Sequence, residues 1–86
     1  MGAVAVKAEA TLDCVGLFCP VPIYLTAQRL ARLPTAAVLE VVCDDPAIAQ
    51  DLPAWCRKTS HAIVAQAQQG RLYRYWVRKA TAPGAG

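Results

Sequence analysis

The sequence has no long apolar run, no acidic residue beyond Asp51, and few aromatics: one Phe, two Trp and three Tyr. Each shortage excludes something. The longest stretch without a charge runs from Cys14 to Gln28, and Gly16, Pro20 and Pro22 interrupt it. A membrane-spanning helix needs roughly 20 consecutive apolar residues, so none is expected. No charged region followed by an apolar run opens the chain, which predicts no secretory signal. Met1-Gly2 hints at myristoylation, but position 6 is Val where that motif wants Ser or Thr. A single domain in the cytoplasm is the expectation.

What is there suffices for one core. Of 86 residues, 56% are hydrophobic and 17 are alanine, which leaves enough larger apolar side chains for a compact domain. Residues 1–54 hold three basic and six acidic groups, whereas residues 55–86 hold six basic and none acidic. The basic half has two readings, a solvated face and an attractor for nucleic acid or an acidic protein.

Four cysteines in a secreted chain this short would form a disulfide framework; without a secretory signal, reduced thiols are the default. The spacings Cys14-x4-Cys19, Cys43 and Cys56-x4-His61 do not match a zinc knuckle, so no metal or other cofactor is expected.

Alternation from Val4 to Leu12 predicts a half-buried strand, and Asp13 to Cys19 a loop. Pro20 to Leu33 reads as a helix burying Ile23, Ala27, Leu30 and Leu33, stopped by Pro34. Val38 to Cys43 is a more buried strand. Asp45 and Pro46 start a second helix, which Pro53 is expected to break or kink, with Asp51 re-capping a piece that ends near Thr59. Ala62 to Gln69 and Leu72 to Lys79 form a hairpin around Gly70. The order β-α-β-α-β-β predicts a two-layer α/β sandwich, a mixed four-stranded sheet with two helices on one face. The domain is expected to span residues 1–80, with a flexible tail at 81–86. Tyr75 and Trp76 alternate on the last strand, so both cannot lie under the helices.

The informative segment is Leu12-Asp13-Cys14-Val15-Gly16-Leu17-Phe18-Cys19-Pro20-Val21-Pro22. Cys19 reads as the N-cap of the first helix, with Pro20 first and Pro22 third. Helix starts favour thiolate over thiol, which suits a nucleophile, yet a small apolar cap fits the same position equally well. With no neighbouring cation, and with Pro22 lacking an N–H, the expected thiol pKa is about 7.5–8.5.

Leu12-Asp13-x-x-Gly16-Leu17-x-Cys19-Pro20-x-Pro22 resembles the signature of the TusA/SirA family of small sulfur carriers. The resemblance continues through Asp44-Asp45-Pro46, Asp51-Leu52-Pro53, Trp55-Cys56, His61 and Tyr73 to Lys79. It implies the same two-layer fold and a sulfurtransferase role, with Cys19 holding sulfane sulfur as a persulfide. It also implies a cysteine desulfurase or rhodanese as donor, and a relay protein as acceptor. The pathways implied are tRNA thiolation, cofactor sulfuration or sulfur oxidation. Asp13, Gly16, Pro20 and Pro22 would shape the loop. Phe18 and Val21 stand where better-known members often carry Arg and Glu, and Ser60 where Gly is common. Phe18, Val21, Val15 and Leu17 are therefore expected to form an apolar docking patch, assisted by Arg57 and Lys58. A monomer without membrane or stable nucleic-acid binding is expected. Two other readings remain: a nucleic-acid-binding module using the basic face, and a redox regulator working through Cys14 and Cys19. Cys43 and Cys56 read as buried small hydrophobes, and His61 as structural.

Overall fold

The computed structural model of the chain describes residues 7–80. Val4 and Val6 of the predicted first strand, and the tail at 81–86, lie outside the described residues. The elements are β1 (Ala10–Cys14), α1 (Val21–Ala31), β2 (Val38–Cys43), α2 (Ile48–Thr59), β3 (Ala62–Gln69) and β4 (Leu72–Arg78). The sheet order is β1-β2-β4-β3, with β1 parallel to β2 and the other pairs antiparallel. The mixed sheet and the two helices are the predicted two-layer α/β sandwich.

Inward alternation builds the core. Leu39, Val41 and Cys43 of β2 and Tyr75 and Val77 of β4 face the same side as Cys14. Over them lie Leu30 of α1 and Ile48, Leu52 and Cys56 of α2, all buried. Removing each of these larger side chains from water contributes about 1.5–3 kcal/mol. On α1 the fully covered stripe is Pro22, Thr26 and Leu30, and the Thr26 hydroxyl donates to the Pro22 carbonyl at 2.7 Å. Trp76 is buried as well, at 7% exposure, but on the sheet face away from the helices, beside Glu40 and Ala65.

Three local expectations are corrected. First, β1 continues past Leu12 to Cys14, because Cys14 pairs in register with Cys43. Second, α1 begins one residue later than predicted: Pro20 is the N-cap, Val21 the first helical residue, and Cys19 lies outside the helix with no capping bond. Third, Pro53 does not break α2. It falls just past the first turn, and the carbonyl it leaves without a partner belongs to Ala49, whose exposed position lets water take the bond.

The end of α2 carries a cost. Ser60 caps it in the left-handed region at φ 67°, a conformation that glycine adopts freely and other residues adopt at about 1 kcal/mol or more. Ser60→Gly should therefore raise stability by about 1 kcal/mol, read as a rise of roughly 4–8 °C in thermal midpoint. No change would mean that Ser60 is held by something other than backbone preference.

Candidate functional site

Parallel pairing of β1 and β2 sends both strand ends to one end of the sheet, where the β1–α1 and β2–α2 loops meet. Asp13 opens the first loop by accepting from the Val15 N–H at 3.0 Å. Gly16 then turns the chain at φ +87°, and Leu17 packs against the core. The second loop holds the first. Asp44 accepts from the Gly16 N–H at 2.9 Å. Asp45 uses both oxygens: Oδ2 accepts from the Cys19 N–H at 3.0 Å and Oδ1 from the Ala47 N–H at 3.1 Å. Those two donors hold its carboxyl below the usual carboxylate range.

Cys19 is half-buried, whereas Cys14, Cys43 and Cys56 are buried, and all four thiols are free. Pro20 and Pro22 fix the chain beyond it. Pro20 is exposed and caps α1, while Pro22 is buried in its first turn. Around the sulfur, Phe18 is 74% exposed and Val15 and Val21 are exposed too. Tyr24, one turn into α1, is 64% exposed and extends this patch; nothing in the sequence motif singled it out. Leu17 does not join the patch, since it is drawn into the core.

The thiol's environment overturns the pKa expectation. Burial, a hydrogen bond to the Asp51 carboxylate, and the negative charges of Asp51 and Asp45 push the Cys19 pKa up to about 11. The helix start was expected to favour thiolate. Instead Cys19 sits outside the helix, beside two carboxylates that α2 and its loop bring in from 26 and 32 positions along the chain. Asp51 thus lies in an unbroken α2, where it raises the thiol's pKa, rather than capping a second helix.

Arg57 and Lys58 stand in the last turn of α2. That is about 9 Å or more along the helix axis from Asp51, so the fold does not bring them to the sulfur. His61 opens β3: its Nδ1 accepts from the Ala80 N–H at 2.8 Å, and its ring lies 5.2 Å from Trp55. Burial and then Lys79 lower its pKa from 6.5. The unfolded chain therefore binds a proton before the folded one does. This part of the stability is complete above about pH 6.5 and is lost as pH falls through the folded value. The thermal midpoint should decline from pH 7.5 to 5.5, and His61→Gln should flatten that decline.

Among the described residues, no group of three or more His, Cys, Asp or Glu is placed to hold a metal, and no helix is long and apolar enough to cross a membrane.

Comparison with known proteins agrees with the fold. The family described as Sulfurtransferase TusA matches residues 10–79. A sulfur carrier protein TusA of Pseudomonas syringae pv. syringae is 38% identical over 71 residues, covering 83% of this chain and 84% of the relative. One from Pseudomonas fluorescens is also 38% identical over 71 residues, covering 83% and 86%. In fold, the crystal structure of a SirA-like protein from Desulfitobacterium hafniense superposes with a TM-score of 0.72 at 20% identity, over 83% of this chain and 97% of that one. With a match from β1 to just past β4, and with relatives this similar along most of their length, the chain belongs to the TusA family.

Proposed function

We propose that the protein is a sulfur carrier, a sulfurtransferase that holds sulfane sulfur on Cys19 as a persulfide and relays it between proteins. The supporting observation is that Cys19 alone among the four thiols reaches the surface, on a loop tethered by Asp44 and Asp45 and bordered by exposed apolar side chains. In loading, the Cys19 sulfur attacks the outer sulfur of a donor persulfide. A new S–S bond forms on Cys19, the donor's S–S bond breaks, and the donor leaves as a thiolate that takes up the proton Cys19 gave. Release is the same exchange onto an acceptor. No cofactor enters either step. A cysteine desulfurase or a rhodanese fits as donor, and a relay protein serving tRNA thiolation, cofactor sulfuration or sulfur oxidation fits as acceptor. Reduced thiols suit a cytoplasmic carrier.

The competing readings lack a site. Tyr75 and Trp76 are buried and Arg74 is paired with Glu40 at 2.8 Å, which leaves half-buried Tyr73 as the one accessible aromatic of β4, too little for a stacking platform. Cys14 is fully covered and points into the core, away from a resolving role. The test is intact mass after incubation with a cysteine desulfurase and cysteine. One added sulfur, mapped to Cys19, is expected; a protein that gains none is not a carrier.

A further inference from the structure

The fold reverses the charge arrangement that the sequence suggests. Asp13, Asp44, Asp45 and Asp51 all gather at the Cys19 end, from β1, the β2–α2 loop and the first turn of α2. The cations lie at the other end: Arg32 follows α1, Arg57 and Lys58 finish α2, and Arg78 and Lys79 finish β4 opposite Val38. Among the described residues the one ion pair is Glu40–Arg74, so none of the four aspartates is neutralised by a cation. Arg71, in the β3–β4 turn, is the only described cation at the Cys19 end, and it shares a recess with Asp44 without pairing to it. Within this acidic rim sit the exposed side chains of Phe18, Tyr24, Val15 and Val21. Exposed apolar side chains beside unpaired charges of one sign suit a partner of complementary surface.

We propose that the sulfur-exchange partner of Cys19 is a protein whose docking face is apolar at its centre and cationic at its rim. This rests on the reading of Cys19 as a sulfur carrier and names the chemistry of its partner. It replaces the expectation that Arg57 and Lys58 assist docking to an acidic surface, because those cations are at the wrong end. A Lys or Arg set against Asp51 and Asp45 would also offset the charges that keep the thiol protonated. Docking and ionisation of the sulfur then coincide, and the undocked thiol stays inert.

Two synthetic peptides test this. Each carries one cysteine, activated as a thiopyridyl disulfide and flanked by Leu, with three Lys in one peptide and three Glu in the other. Thiopyridone release reports exchange at Cys19. The ratio of the two rates at one pH reads how the peptide's charge acts at the sulfur, through docking and through ionisation of the thiol alike. The Lys peptide should react about tenfold faster at low ionic strength, and the ratio should fall towards one near 1 M salt. Asp51→Asn should shrink the ratio, and Arg57→Gln with Lys58→Gln should leave it unchanged. Equal rates, a faster Glu peptide, or a ratio insensitive to salt would overturn the proposal. Sulfur loading is read separately by mass, so the failure of one is distinguishable from the failure of the other.

Discussion

Cys19→Ser should abolish sulfur loading completely and change stability by no more than about 0.5 kcal/mol. The first half follows from accessibility: Cys14 and Cys43 are fully covered and Cys56 is 3% exposed, so none of them meets a donor persulfide. The second half follows from what Cys19 does for the fold. Its side chain caps nothing, since Pro20 occupies the cap, and the loop is tied through the Cys19 backbone N–H to Asp45. A serine keeps that N–H and can donate its hydroxyl to Asp51. The buried cysteines should behave in the opposite way. Cys14→Ser and Cys56→Ser each place a hydroxyl in an apolar setting, at a cost of about 1–3 kcal/mol where no partner is found, whereas Cys43→Ser keeps the Asp45 N–H as a donor and should cost less. All three should still load. Intact mass and thermal unfolding on the four variants check both halves, and a loaded Cys19→Ser protein would sink the assignment.

Asp51→Asn should make Cys19 markedly more reactive towards iodoacetamide at neutral pH. The substitution keeps the shape of the side chain and its acceptor oxygen but removes the charge that helps push the thiol to about 11. Each pKa unit recovered raises the thiolate fraction tenfold. The nucleophilicity of each thiolate falls about threefold, so the net gain is about threefold per unit. The midpoint of the pH–rate curve should move down in the same variant, whereas Asp51→Glu should stay close to the parent. An unchanged midpoint would mean that burial and Asp45, without Asp51, keep the proton on the sulfur.

The element order was legible because each strand and helix writes its own local pattern. Val38–Cys43 and Ala62–Gln69 were bounded correctly by β-branched and alternating residues, and Gly70 marked the turn between the hairpin strands. Errors arose where a distant partner decides. Cys14 extends β1 only because Cys43 lies beside it. Pro53 looks like a helix breaker until Ala49 is seen facing solvent. The site divides along the same line. Cys19 and its prolines were legible as a contiguous motif, but Asp44, Asp45 and Asp51 read as helix-start residues. Their bonds to Gly16 and Cys19 cross more than 25 positions of chain, and no local pattern records such a contact. The charge arrangement misled for the same reason: a count along the chain separates two halves, whereas the fold sorts charges by which end of a strand or helix they finish.

The four free thiols set a limit on the protein at high pH. Burial raises Cys14, Cys19 and Cys56 from 9.0 to about 11, and raises Cys43 as well. An unfolded chain gives up those four protons near pH 9, while the folded chain retains them. The contribution is whole below about pH 9 and is lost as pH climbs through 11, so four titrations act together to favour the open chain. An alkylating agent in alkaline buffer would then trap every molecule that opens. Keeping three sulfurs out of water, which leaves one to react near neutral pH, is thus what makes the fold sensitive to alkali.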